Sequence, residues 1–304
     1  MAQTLADIKA LLAARGLHPK HRFGQNFLHD PRKYDLILRA AEIAADDLVL
    51  EVGPGTGALT ERLLETGARV VAVEIDRDLE PLLQERLQTY GDQFTLLCAD
   101  ILAGKHEVNP QVMQAISDIG YRISDREKPS DVVENTTPSA YPLSDIRYPI
   151  FKLIANLPYN VASPLLINLA MDYPAMRQAV VLVQREVAER LTAAPGSKAY
   201  GAMGIMVQAM CEATQVATLP PGCFWPSPQV DSAVVRLVRR VQPLTPDPHR
   251  LAKLVHTLFS KRRKQLGAIL GREARLPAGV AATARPETLS VPQLVELAGW
   301  YNGT

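Results

Sequence analysis

The stretch Leu48-Val49-Leu50-Glu51-Val52-Gly53-Pro54-Gly55-Thr56-Gly57 decides the fold. Its first five residues, mostly branched aliphatics, read as a strand buried on both faces, as strands of parallel sheets are. The glycines that follow let the backbone approach a ligand without Cβ interference. A helix is predicted directly afterwards, over 58–66, and then a second strand over 69–73 that closes on Glu74. A further helix from about 78 to 90 leads to a third strand, 94–99, which ends at Asp100. Strand, glycine turn, helix, strand and acid is the order of an α/β, doubly wound open sheet, whose ligands lie beyond the carboxyl ends of its strands.

Upstream, the pattern predicts a helix within residues 1–16, a basic and aromatic stretch from His18 to Asp30, and a helix over 31–45 with Pro31 in its first turn. Downstream, residues 103–147 break the alternation. They are polar, with seven acids against five Lys/Arg, and read as a surface insertion, loop-like or partly ordered, with one short helix over 112–119. The sheet resumes at 150–155 and runs into Asn156-Leu157-Pro158-Tyr159. A helix (164–171), a strand (178–184), a helix (185–193), a loop (197–201) and a helix to about 212 follow. Phe224-Trp225-Pro226-Ser227-Pro228 is extended, because a residue before proline avoids the helical region, and 231–239 alternates as a strand. The three prolines of 241–248 mark a linker. We therefore expect a catalytic domain over 1–242, carrying the insertion, and a small all-helical domain over 243–304 with a basic helix at 250–270.

The chain has 304 residues, 47% hydrophobic and 21% charged, enough for a buried core. Its net charge is only +1, but the distribution is uneven. Residues 236–275 hold eleven Lys/Arg against two acids, a balance of +9 that leaves −8 for the remainder. A phosphate-facing surface has this signature. Cys98, Cys211 and Cys223 form no CxxC pair and no metal-ligand spacing, which argues for a reducing compartment and against both disulfides and zinc; no metal is expected. With no apolar run near the roughly 18 residues of a membrane helix and no signal-peptide pattern, the expected location is cytoplasmic, with no membrane partner.

Glu74 stands twenty-one residues after Gly53, at a strand end, where a carboxylate can accept both ribose hydroxyls of an adenosyl group. Asp100 is placed to accept a hydrogen bond from an adenine amine. These three strand ends describe one cleft that would suit NAD equally well. The fourth separates the alternatives. An adenine amine is a poor nucleophile because its lone pair is delocalised into the ring. Asn156 offers a side-chain carbonyl and Leu157 a backbone carbonyl held rigid by Pro158. Two acceptors on the amine's N–H bonds favour a pyramidal nitrogen and free the lone pair towards a sulfonium methyl, a case of charge stabilisation by preorganised dipoles. Tyr159 would stack on a flipped base. Catalysis of this kind needs no metal.

These segments, together with His21-Arg22-Phe23-Gly24-Gln25-Asn26-Phe27-Leu28, Val73-Glu74-Ile75-Asp76, residues 184–191 and residues 224–234, resemble the ribosomal RNA adenine dimethylase family over most of the chain. The resemblance implies a Rossmann-like, S-adenosylmethionine-dependent methyltransferase sheet. It implies cofactor contacts from Asn26, Leu28, Gly53, Gly55, Glu74, Asp100 and Asn156, with residues 25–28 in a lid over the cofactor. It also implies catalysis by Asn156, Leu157, Pro158 and Tyr159, with Phe224 against the target adenine opposite Tyr159. Within the family, the chain is similar to the branch that dimethylates two adjacent adenines near the 3′ end of small-subunit (16S) rRNA. The implied partners are that rRNA and the immature small ribosomal subunit, met by a monomer. Arg22, Lys261, Arg262, Arg263 and Lys264 are the expected RNA-binding residues, with two or three of the last four on phosphates. An RNA-binding assembly factor with methylation secondary, a large-subunit adenine methyltransferase and a DNA adenine methyltransferase stay open as alternatives. The interval of 56 residues between Asp100 and Asn156, against roughly twenty in the family, is the one clear departure.

Overall fold

The structure is a computed structural model that describes residues 3–104, 107–126, 149–271 and 273–301. The chain opens with α1 (Leu5–Ala13), whose Thr4 and Asp7 cap one another, then β1 (Phe27–Leu28) and α2 (Pro31–Ala41), started by Asp30 and Pro31. β2 (Leu48–Val52), α3 (Ala58–Glu65), β3 (Arg69–Glu74), α4 (Glu80–Leu87) and β4 (Phe94–Cys98) then alternate. A small hairpin, β5 (Leu102–Gly104) and β6 (Glu107–Val108), precedes α5 (Pro110–Arg126). β7 (Phe151–Asn156), α6 (Tyr159–Asp172), β8 (Met176–Gln184), α7 (Arg185–Leu191) and α8 (Ala202–Met210) follow. β9 (Cys211–Leu219), β10 (Phe224–Trp225) and β11 (Ser232–Arg239) complete the strands. α9 (Pro248–Ser260), α10 (Leu266–Leu270) and α11 (Val291–Trp300) close the described chain.

Seven strands form one sheet in the order β4-β3-β2-β7-β8-β11-β9. β4, β3, β2, β7 and β8 are mutually parallel, and β11 runs antiparallel to both β8 and β9. The direction of winding reverses between β2 and β7, which opens a crevice at their carboxyl ends. This is the Rossmann-like α/β sheet expected. All five residues of β2 are buried, as a strand covered on both faces requires. One face packs on α1 to α4, through residues such as Ile8, Ile37, Leu63 and Leu83. The other packs on α5, α6 and α8, and the apolar sides of α9 and α11 (Leu254, Leu258, Leu294, Leu297) are continuous with that same core.

Three expectations need correction. Residues 110–126 are not a surface loop: α5 runs for 17 residues, more than twice the short helix expected, and packs on β2 and β3. Val112, Met113, Ile116 and Ile119 are buried in the core at helical spacing, a signal diluted by the polar composition around it. The rest of the expected insertion, 127–148, lies outside the described residues. Secondly, β9 was not foreseen. It is an edge strand with mostly exposed residues, so no hydrophobic alternation announces it. Thirdly, the basic helix expected over 250–270 is interrupted, since α9 ends at Ser260 and the Lys261-Arg262-Arg263-Lys264 run forms the turn before α10. In addition, α6 begins at Tyr159 rather than Pro164, so the motif residue stands in the first turn of a helix.

Candidate active site

The four strand ends converge as expected. A cleft of about 240 Å³ is lined by Gly53 and Gly55 after β2, Glu74 at the end of β3, Asp100 after β4, and Asn156 to Val161 beyond β7. Residues 22–28 cross it as a roof, which brings Arg22, Asn26 and Leu28 to the same cavity.

The glycine turn is built for close approach. Gly53, Gly55 and Gly57 all have positive φ, and a Cβ on Gly55 would come within 2.9 Å of the Phe27 ring. At Gly53 it would lie 3.4 Å from the Pro158 ring, so the turn and the Asn-Leu-Pro-Tyr segment abut. Glu74 is buried, and its two oxygens accept the backbone N–H groups of Gly55 (3.1 Å) and Asp76 (2.9 Å). Burial pushes its carboxyl above the usual range, opposed by those N–H donors. Asp100 is exposed at the rim, where Oδ1 accepts the Leu102 N–H at 2.9 Å and the other oxygen remains for a ligand.

At the fourth strand end, Asn156 Nδ2 donates to the Asn26 carbonyl at 2.9 Å, which leaves Oδ1 as the acceptor of that amide. The Leu157 N–H is tied to the Leu182 carbonyl in β8 at 3.1 Å, so the Asn156–Leu157 peptide is held by the sheet and the Leu157 carbonyl follows it into the rigid bond to Pro158. Tyr159 is half-buried on the cleft wall, and its hydroxyl shares a 2.9 Å hydrogen bond with Ser232 Oγ.

The roof is clasped from either side of β2, by residues at the ends of β7 and β3. Opposite the Asn156–Asn26 contact, Asp76 accepts from Lys20 Nζ at 2.6 Å and from Gln25 Nε2 at 2.9 Å, and the Lys20 N–H donates to Gln25 Oε1 at 2.7 Å. Burial alone would raise the Asp76 carboxyl; the Lys20 and Gln25 hydrogen bonds outweigh it and hold it below the ordinary range.

Some expectations are not met. Phe224 is buried in the core and does not line the cleft. β10 pairs with β1 through Leu28–Phe224 and Phe27–Trp225, and alternation along that short strand turns Phe224 inward while Trp225 stacks against Phe27 at 6.4 Å. The aromatic clamp therefore has one wall in this structure, Tyr159. Arg262 is also not a free cation: it pairs with Glu287 and donates to the carbonyls of Ser197 and Lys198 at 3.2 Å. Arg236, Arg239, Arg240 and Arg250 of the basic window are likewise held by Glu42, by carbonyls at the end of α6, by Glu212 and by Tyr301. Lys253, Lys261, Arg263, Lys264 and Arg275 are exposed.

Sequence reasoning also missed Glu51, a fully buried carboxyl on the cleft wall whose Oε2 has no hydrogen-bond partner. Burial pushes it up to about 8, with Thr60 opposing and the Glu74 charge adding. A charge inside an aliphatic strand was the signal available. Among the described residues, no group of three His, Cys, Asp or Glu could hold a metal ion, and no helix is long and apolar enough to cross a membrane.

A family model described as ribosomal RNA adenine dimethylase matches residues 16–302. This chain belongs to that family. A relative from Streptomyces coelicolor, named ribosomal RNA small subunit methyltransferase A, is 36% identical over 308 residues, covering 96% of this chain and 94% of its own. Among solved structures, a dimethyladenosine transferase from Plasmodium falciparum superposes with a TM-score of 0.67 at 24% identity, covering 89% of this chain and 95% of its own. The 23S rRNA methyltransferase ErmE gives 0.63 at 24%, with 90% and 98% covered. Those two structures confirm the fold of the dimethylase family; as they match almost equally well, they do not choose between RNA targets.

Proposed function

We propose that this dimethylase transfers methyl groups from S-adenosylmethionine to the N6 amines of two adjacent adenines near the 3′ end of small-subunit (16S) rRNA. Its partner is the immature small ribosomal subunit, which it meets in the cytoplasm as a monomer, with residues 243–304 as an RNA-binding region. The observation that carries the reading is the rigid Asn156-Leu157-Pro158-Tyr159 segment at the switch point, with Oδ1 of Asn156 left as an acceptor. The name shared by relatives such as the 36% identical Streptomyces protein favours the small subunit over the large.

The cleft fits the cofactor. Side-chain-free backbone at Gly53 and Gly55 on the cleft wall, a buried carboxyl at Glu74 and an orphaned buried oxygen at Glu51 are what an adenosyl amino acid can use. Gly53 and Gly55 would admit it closely, Glu74 would take the ribose hydroxyls, Asp100 the adenine amine, and Asn26 and Leu28 would cover it. When bound, it supplies an electrophilic methyl group on a sulfonium. The protein's own part is orientation. The Asn156 and Leu157 carbonyls accept the two N–H bonds of the target amine and stabilise the positive charge that develops on it. Tyr159 holds the flipped base, and the roof of residues 22–28 excludes water. Arg22 and the exposed cations Lys261, Arg263 and Lys264 contact phosphates.

The test is incubation with labelled S-adenosylmethionine and, separately, immature small subunits, naked small-subunit rRNA, large-subunit RNA and duplex DNA. Dimethyladenosine should form on the small subunits and be lost with Asn156→Ala. Labelling of DNA or of large-subunit RNA alone would overturn the assignment. Small-subunit maturation that is fully restored by Asn156→Ala would favour the assembly-factor role over catalysis.

A further inference from the structure

Ser232 has no part in the chemistry described above, yet it is the only side chain seen to hold the hydroxyl of Tyr159 among the described residues. We propose that Ser232 is a positioning residue that sets the Tyr159 ring as a platform for the flipped adenine; the idea rests on the stacking role given to Tyr159.

Three observations carry it. Ser232 is completely buried, so its hydroxyl has no water to turn to. It opens β11, an interior strand whose Ser232 backbone is registered against Gln184 of β8 on one side and Leu219 of β9 on the other. The hydroxyl is thus anchored to the sheet rather than to a loop. Tyr159, by contrast, begins α6 directly after Pro158, with its ring on the cleft wall. A tyrosine at a helix start has rotamers that point into solvent. The 2.9 Å bond between the two hydroxyls selects the one that lies along the cleft. The energetic logic is preorganisation: a ring already held in the stacking orientation loses no rotamer freedom when the base arrives. Removing the serine hydroxyl frees the ring and leaves the phenol without its partner.

The proposal predicts a particular pattern. Ser232→Ala and Tyr159→Phe each break the same bond and should weaken base capture alike, raising KM for RNA about fivefold, as loss of one hydrogen bond implies. KM for S-adenosylmethionine should be unchanged with Ser232→Ala, because Ser232 does not line the cleft. The double variant should be no worse than either single one. An RNA substrate with 2-aminopurine at the target position reports stacking directly, and its quenching should be reduced in both single variants. Thermal unfolding of each variant separates a folding defect from a positioning one. Additive losses, or full quenching with Ser232→Ala, would overturn the proposal. Tyr159→Ala keeps the two ideas apart. If it abolishes quenching while Tyr159→Phe and Ser232→Ala do not reduce it, stacking stands and the positioning role fails. If it leaves quenching intact, stacking itself fails.

Discussion

Glu51 makes the stability of this protein depend on pH in a way that one substitution should remove. In the folded chain its carboxyl keeps its proton up to about 8, because burial disfavours the charge; unfolded, it ionises near 4.5. Between these values the unfolded state binds fewer protons than the folded one, so stability falls as pH rises. Each pH unit in the window costs about 1.4 kcal/mol, giving about 3 kcal/mol at pH 7 and a ceiling of about 5 kcal/mol above pH 8. Glu51→Gln keeps the shape and stays neutral throughout. It should match the parent near pH 4.5 and exceed it by about 2–5 kcal/mol at pH 9, where the parent must bury a charge. The assay is urea unfolding of both proteins, without cofactor, at half-unit steps from pH 5 to 9. A constant difference across that range would refute the argument, since it would mean that the carboxyl does not change charge within it.

Asp76→Ala should release one of the roof's two clasps. Affinity for S-adenosylmethionine, measured by equilibrium titration, should fall about tenfold, in line with the loss of the two charge-assisted hydrogen bonds that tie Lys20 and Gln25 to the carboxylate. Amide exchange over residues 20–28 should quicken; unchanged exchange would mean that the roof is held elsewhere. Because the Asp76 carboxyl is held below its ordinary range, its contribution is present above that range and is lost only as pH falls through the folded value. Replacing Lys261, Arg263 and Lys264 together with Gln should lower the slope of log affinity for rRNA against log salt by about 2. Arg262→Gln should instead lower the melting temperature through loss of the Glu287 pair and of the Ser197 and Lys198 contacts; a slope change from Arg262→Gln alone would reverse the roles.

The stretch from Leu48 to Gly57, the acids Glu74 and Asp100, and the segment from Asn156 to Tyr159 were legible in the linear chain. Parallel strands are short apolar runs, and their ligand-facing residues fall by rule at the carboxyl ends, so spacing alone is enough to place them. Where a polar stretch surrounds buried positions, as at Val112 and Ile116, or where a strand lies at an edge, as from Cys211 to Leu219, composition hides the element and only packing reveals it. Charge shows the same division. The sequence counts eleven cations between 236 and 275, but five of them are committed to carboxylates or carbonyls brought close by the fold.

By itself, then, the sequence determined the alternation of parallel strands and helices around the glycine turn and the amine-directed chemistry, because each is a local pattern whose physics acts over a few residues. Tertiary structure alone decided that Phe224 turns into the core, that Asp76 clasps the roof through Lys20 and Gln25, and that Ser232 meets Tyr159 across 73 positions of chain. Those facts depend on which side chains a folded sheet brings within hydrogen-bond reach, and no spacing along the chain encodes that distance.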